Sequence, residues 1–335
     1  MSQRKKSSPV KSFLITLLFG LLLVGASILS EKAPEKLDNF IEESLNISTT
    51  NTSNLISVNT VKSTKPSETE KLSIYYLDVG QGDCELIVDE DTVMLIDAGN
   101  NEDGPLLVNY LQGLGITKID YVVATHPHED HIGGLDDIIN SFEIGNVYMP
   151  QVITTTQTYQ DLIEAIRNKG LKVNKIEIGE HFTLRNAIAT VIYVDNEQNE
   201  ELNNNSIIIN LAYGEKNFLF TGDTQSEVES KMIWDHADVL KVAHHGSKSS
   251  TSEKFLSAVK PEIAIISCGK NNDYGYPHKD VLDRLGKQNV QIYRTDTDGT
   301  IILTTDGNTI DITSSVTALD GNPKTNSLEE KSEQE

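Results

Sequence analysis

A chain of 335 residues can hold one large domain or two small ones around a sizeable core. Its formal net charge of −22 and pI near 4.7 favour solubility, and no Lys/Arg stripe runs through the part with folded texture, which argues against a surface that grips nucleic acid through many phosphate contacts. Only two cysteines occur, Cys84 and Cys268, each in an apolar strand-like setting; they read as small buried hydrophobes, and spacing alone does not decide whether they pair.

Taken in chain order, Arg4, Lys5, Lys6 and Lys11 precede an apolar run over residues 13–29. This is the pattern of a signal peptide or N-terminal membrane anchor over residues 1–30, with the rest of the chain exported. The run is long for a signal sequence and just long enough for a span, so an anchor that is retained or slowly cleaved is the expectation. Residues 31–70, rich in Ser, Thr, Asn, Glu and Lys, read as a flexible linker, and 316–335 as a disordered acidic tail. The folded domain is expected over 71–315.

Within it, short apolar runs at 72–78, 84–89 and 92–97 are broken by Gly, Asp and Glu and predict strands joined by tight turns. Residues 105–113 have helical spacing, and 119–124 is a β-branched run that stops where a His-rich loop begins. Helical signals follow at 135–139 and 159–169, with an extended stretch at 147–149 between them. Strand signals follow at 188–194, 206–213 and 218–220. Strands at 239–243 and 263–267 then alternate with helices at 253–259 and 281–285. A terminal pair, 300–304 and 309–312, flanks the turn signal Asp306-Gly307. Two groups of strands with helices outside them and polar residues at strand ends suit a layered α/β sandwich in one domain.

The loop Thr125-His126-Pro127-His128-Glu129-Asp130-His131-Ile132-Gly133-Gly134 places three imidazoles and two acidic side chains in six consecutive residues. Imidazole and carboxylate suit zinc, manganese or iron. Residues two apart can face one ion while Asp130 and His131 turn to a second, and the Gly-Gly pair allows a tight chain path. Asp223 ends a short apolar run beside Gly222, and His244-His245-Gly246-Ser247 ends another; adjacent histidines point in different directions, so one can bind metal while the other donates a proton. His278 offers a further imidazole. His181 and His236 lack such a setting and read as ordinary.

Together these pieces resemble the metallo-β-lactamase superfamily, and more closely the exported C-terminal hydrolase domain of the ComEC DNA-uptake family. The likeness is carried by Leu77-Asp78-Val79-Gly80-Gln81-Gly82-Asp83, Leu95-Ile96-Asp97-Ala98-Gly99, the 126–134 loop, Asn205-Ser206, Thr221-Gly222-Asp223, His244-His245-Gly246-Ser247 and the 274–278 segment. It implies an αββα four-layer sandwich and a stand-alone version of the hydrolase domain. It also implies two divalent ions, Zn or Mn. His126 and His128 would hold the first, Asp130 and His131 the second, Asp223 would bridge, and His245 would be a further ligand. Asp97 would support the loop from behind, Asp78 and Asp83 would shape the floor, and Ser206 would stand close by. Two departures stand out: Asn203-Asn204-Asn205-Ser206 occupies the stretch where many members carry another histidine, and Tyr276 replaces a histidine common in ComEC-like chains.

The chemistry expected from two ions about 4 Å apart is hydrolysis by water that they acidify. Asp130 would take part, and His244 or His278 would protonate the leaving oxygen. The substrate expectation is a phosphodiester, DNA first. The alternatives are a small or cell-wall ester hydrolase (phosphocholine esterase, lactonase or β-lactamase type) and a non-catalytic component of an uptake complex. The membrane is expected as a partner through the N-terminal segment, and no stretch signals a protein partner.

Overall fold

Alternation along the strands decides the layers. In β1 (Leu72–Tyr76), Leu72, Ile74 and Tyr76 are buried toward one side; in β3 (Thr92–Ile96), Met94 and Ile96 join them while Val93 and Leu95 are buried toward the other. A sheet apolar on both faces must be covered on both. The computed structural model, which describes residues 55–315 apart from 64, 65, 68, 69, 198 and 199, meets that requirement with two sheets packed face to face and helices outside each.

The first sheet adds β2 (Glu85–Asp89), β4 (Lys118–Val123), β5 (Glu143–Tyr148), β6 (Val173–Asn174), β14 (Thr300–Thr305) and β15 (Ile310–Ser315), in the order β15-β14-β1-β2-β3-β4-β5-β6. The second contains β7 (His181–Thr183), β8 (Ile188–Tyr193), β9 (Ile208–Tyr213), β10 (Lys216–Phe220), β11 (Val239–Lys241), β12 (Ile263–Ile266) and β13 (Gln291–Arg294), in the order β13-β12-β11-β10-β9-β8-β7. Both sheets are mixed: β3 through β6 pair in parallel, as do β10 through β13, and the other pairs are antiparallel. Parallel pairs need crossovers, which the helices supply.

Three apolar layers follow. The central one, between the sheets, includes Ile74, Tyr76, Met94, Leu211, Phe218, Phe220 and Ile265. Outside the first sheet, α1 (Gly104–Gly113), α3 (Leu135–Ser141) and α4 (Gln157–Asn168) cover Leu86, Leu95 and Val122 with Leu107, Leu111, Ile138 and Leu162. Outside the second, α5 (Ser226–Lys231), α6 (Glu253–Val259) and α7 (Lys279–Lys287) cover Leu219, Leu240 and Ala264 with Val228, Phe255, Leu256 and Val281. This is the expected αββα sandwich.

Two regions differ from the sequence reading or escape it. The segment read as linker to residue 70 is laid against the domain from residue 55: Ile56 forms a β-bridge with Met232, its N–H donates to Lys231 O (2.7 Å), and Ile233 N–H donates to Ile56 O (2.7 Å). Further on, Gly214 N–H donates to Ser63 Oγ (2.7 Å). The expectations for residues 1–30, for 31–54 and for 316–335 lie outside the described residues. Among the described residues no helix is long and apolar enough to cross a membrane.

Candidate metal centre

The first sheet delivers the His-rich loop from the end of β4, and β3 ends beside it. The second sheet delivers Asp223 from the end of β10 and His244-His245 from the end of β11. Carboxyl ends of parallel strands are where such folds leave room for ligands. A short helix, α2 (Glu129–Ile132), carries Asp130 and His131 toward the seam. The loop is pinned close to its neighbours: Asp83 N–H donates to Asp130 O (3.0 Å), Ala98 N–H to His131 O (2.7 Å) and Gly133 N–H to Gly99 O (2.8 Å). Gly133 has ordinary helical torsions (φ −57°, ψ −49°), so its glycine serves close approach; a Cβ there would lie 2.2 Å from the Asn100 carbonyl carbon.

Asp130, His131, Asp223 and His245 each offer one ligand atom, and these atoms lie within 4.8 Å of one another. His131 Nε2 is 3.3 Å from Asp223 Oδ1 and 3.9 Å from Asp130 Oδ2. His245 Nε2 is 3.2 Å from Asp130 Oδ2 and 3.5 Å from Asp223 Oδ2. The far side of each ring is held by acceptors. His131 Nδ1 meets Asp97 Oδ2 at 2.7 Å; His245 Nδ1 meets Ser267 O at 3.0 Å and Asp83 Oδ1 at 3.2 Å. A carbonyl or carboxylate can only accept, so Nδ1 carries a proton and Nε2 is turned inward, free to coordinate once any proton there is displaced. Nε2 of both rings and Asp223 Oδ1 are buried without a hydrogen-bond partner, as a donor set shaped for a cation requires.

Beside this cluster His126 Nε2 and His128 Nδ1 converge to 3.0 Å, and the His126 ring lies 4.1 Å from that of His131, centroid to centroid. Ser206 stands behind: its Oγ is 3.3 Å from His126 Nδ1 and accepts the Asp223 N–H at 3.0 Å. The hydroxyl thus steadies the His126 ring and the backbone of Asp223. Asp97, in a left-handed conformation (φ 56°), also accepts Thr125 N–H (2.8 Å) and Thr125 Oγ1–H (2.6 Å), tying the loop's first residue to the same carboxylate that orients His131.

The electrostatics agree with a cation site. Burial lowers the pKa of His126 well below its ordinary value, and the neighbouring His131 adds to that, so His126 is a neutral donor. Burial opposes charge on His131 and His245 as well, but the surrounding carboxylates, Asp223 foremost, outweigh it and push both well above the usual imidazole range. In the protein alone the excess negative charge is met by protons on these rings; divalent ions would displace them.

Two buried groups on the floor, Lys241 and Glu85, went unread in the sequence; they lie around Asp83, which the sequence reading did place there. Lys241, the last residue of β11, is 1% exposed and its Nζ sits 2.6 Å from Asp83 Oδ2 and 3.2 Å from Val242 O. Asp83, whose other oxygen faces His245, is held below the usual carboxylate range because Lys241 and His245 together outweigh its burial. Glu85 is buried with Oε1 unpartnered, and burial, reinforced by Asp83, pushes its pKa far up, so it is a neutral acid. The signal for Lys241 was a lone cation inside the apolar run Val239-Leu240-Lys241-Val242-Ala243. Asp78, by contrast, is absent from the cluster: it accepts Gly80 N–H (3.2 Å) and lines a neighbouring cleft with Asp103 and Asp296.

His244 and His245 both have left-handed backbone (φ 52°), an arrangement that costs a non-glycine residue on the order of 1 kcal/mol or more and that splays the two rings apart. His244 Nε2 reaches 3.7 Å from Asp223 Oδ2 and 3.3 Å from the Tyr276 hydroxyl, so it sits at the rim of the cluster. His278 does not join it. Its Nδ1 accepts Lys248 N–H (3.1 Å), and its ring makes an edge contact with Tyr276.

The chain is 31% identical over 200 residues to ComE operon protein 3 of Bacillus subtilis, covering 58% of this chain and 26% of that protein. It is 31% identical over 232 residues to Recombination protein 2 of Haemophilus influenzae, covering 67% of this chain and 28% of the relative. It is 26% identical over 230 residues to Competence protein ComA of Neisseria gonorrhoeae, covering 67% and 31%. The chain thus spans less than a third of the length of these relatives. Among solved structures it is similar to the metallo-beta-lactamase fold protein YhfI of Bacillus subtilis, with a TM-score of 0.47, 11% identity, and coverage of 70% of this chain and 100% of the other. The model of the metallo-beta-lactamase superfamily matches residues 77–270, more than half of the chain. With that match and a metal-competent cluster at the ends of β4, β10 and β11, the chain belongs to the metallo-beta-lactamase superfamily and is a metal-dependent hydrolase by fold and donor set.

Proposed function

We propose that the chain is a binuclear phosphodiester hydrolase whose substrate is DNA, working on the outer side of the membrane that its N-terminal segment addresses. The observation that carries the reading is the cluster of Asp130, His131, Asp223 and His245 with the His126–His128 pair beside it, in a chain whose relatives include one named as a competence protein. His126 and His128 would hold one divalent ion, Asp130, His131 and His245 the other, and Asp223 would be shared. Zinc and manganese both suit this imidazole and carboxylate set. Bound ions supply Lewis acidity toward a phosphoryl oxygen and acidify water.

The chain's own groups prepare that chemistry. Asp97, Ser267 and Asp83 fix the tautomers of His131 and His245; Ser206 and Thr125 orient His126. His244, half-buried with Nε2 3.3 Å from the Tyr276 hydroxyl, would give a proton to the leaving oxygen, and burial, by lowering its pKa, would make that proton easier to release. Purified protein given Mn²⁺ or Zn²⁺ is expected to cleave DNA and bis-p-nitrophenyl phosphate, and His128→Ala to lose at least about a hundredfold in rate. Failure to cleave either substrate with any divalent metal sinks the proposal.

The net charge of −22 favours a second reading, a small or cell-wall ester as substrate. A phosphocholine ester and a lactone in the same assay separate the two. Native protein that binds no metal would point instead to a non-catalytic part of an uptake assembly.

A further inference from the structure

The 269–278 loop carries a graded stack of rings away from the metal centre. The His245 ring, buried in the cluster, stacks on Tyr276 (centroids 6.1 Å apart, planes 28° apart), and Tyr276 stacks on Tyr274 (5.3 Å, 13°). Tyr276 is half-buried and anchored through its hydroxyl to His244; Tyr274 is 64% exposed. The backbone beneath is stitched by one side chain: Asn272 Nδ2 donates to Gly269 O (2.8 Å) and Tyr276 O (2.7 Å), and its Oδ1 accepts Tyr276 N–H (2.9 Å). A large aromatic ring held nearly parallel to its neighbour, on a braced loop, with most of its surface in water, contributes little to a core. It is a preformed platform with an open face.

Its surroundings narrow the occupant. Two exposed lysines lie on the loops involved, Lys270 on the loop of the platform, where it also lines the cleft of Asp78, Asp103 and Asp296, and Lys248 three residues after His245, while the exposed Asp273 adjoins Tyr274. Lys248 is tied to the platform's base, since its N–H donates to His278 Nδ1 and His278 packs edge-on against Tyr276. Among the described residues neither lysine forms an ion pair. A flat uncharged face two ring steps from the candidate metal centre matches a planar base joined to a phosphate better than it matches an aliphatic ester. Bases inside a duplex are already stacked on their neighbours, so the platform is accessible to an unpaired base.

We propose that Tyr274 and Tyr276 form a stacking subsite for an unpaired nucleobase next to the phosphodiester at the metal centre, which makes the preferred substrate single-stranded nucleic acid. The inference rests on the phosphodiester reading above.

The test is equilibrium binding of the full-length chain to a labelled oligothymidine and to an abasic oligomer of equal length and charge, with Ca²⁺ present to hold the strand without relying on turnover. Wild type is expected to bind the oligothymidine about tenfold more tightly than the abasic strand, since one base on an aromatic ring contributes about that factor. Tyr274→Ala should abolish the difference while leaving abasic binding unchanged; Tyr274→Trp should preserve it. Because Tyr274 is exposed, these variants keep the fold, which circular dichroism checks. Equal or undetectable binding of the two strands by wild type overturns the inference, and so does a Tyr274→Ala variant that keeps the preference. Tighter, Tyr274-dependent binding of phosphocholine than of thymidine monophosphate also overturns it. Cleavage of bis-p-nitrophenyl phosphate, read separately, distinguishes the outcomes: cleavage without base preference removes only the subsite, and base preference without cleavage removes only the hydrolase assignment.

Discussion

Lys241 ends a strand whose residues are all buried, and its ammonium has one carboxylate, Asp83, within ion-pair distance. Removing one partner of a buried pair strands the other charge, which costs about 3–5 kcal/mol. Lys241→Met is therefore expected to lower unfolding free energy by roughly that amount in urea denaturation. A double-mutant cycle with Asp83→Asn should return a coupling of about 1–3 kcal/mol; additive losses would show that the two groups act independently. Hydropathy patterning hid this lysine because a single charge in a β-branched run reads as a strand edge. The His126 to His131 loop, by contrast, was legible because three imidazoles two and three residues apart have no packing purpose. Asp97 was legible for the same reason, as a carboxylate at the end of an apolar strand, whereas the separation of Asp78 and His278 from the cluster depends on loop paths that spacing does not encode. The cysteines carry their own prediction. Burial, with Asp296 adding to it, pushes the Cys268 thiol up to about 12, and burial raises Cys84 well above the ordinary thiol range; both are free and buried. Neither should react with Ellman's reagent at mildly alkaline pH in the native protein, and both should react once it is unfolded.

Elements with a clear period were readable and those without one were not. The strands β1 to β4 and the helices α1, α4 and α6 follow runs in which apolar residues recur at period two or near 3.6. The short β13, Gln291–Arg294, and α5, Ser226–Lys231, are too brief and too polar to produce such a signal. The segment from residue 55 escaped for a related reason: its polar composition resembles a linker, yet its backbone completes a bridge at Met232. The amides of Ile56 and Ile233 should then exchange hydrogen slowly compared with other loop amides; rapid exchange at both would show that the segment is not held in solution. Gly133 shows the opposite case, a residue whose importance was readable and whose reason was not. The need there is space against the Asn100 backbone. Gly133→Ala is expected to cost about 1–3 kcal/mol in thermal unfolding and to reduce bound metal, because the overlap must be relieved by moving the helix that carries Asp130 and His131.

At the scale of the whole molecule, a charge of −22 repels a polyanion, so if DNA is the substrate, as proposed, divalent ions must supply the attraction. Chelation by EDTA should therefore abolish retention of DNA, whereas a protein held by a basic surface would keep it. The division of ligands between the sheets has a different consequence. His126, His128, Asp130 and His131 issue from one sheet, and Asp223 and His245 from the other. An ion gripping both would act as a rivet through the two halves of the sandwich, so its loss should be felt in cooperativity as well as in stability. Calorimetry of the metal-loaded protein should give one sharp endotherm whose midpoint climbs with free metal concentration, and the chelated protein a lower and broader one as the halves begin to melt separately.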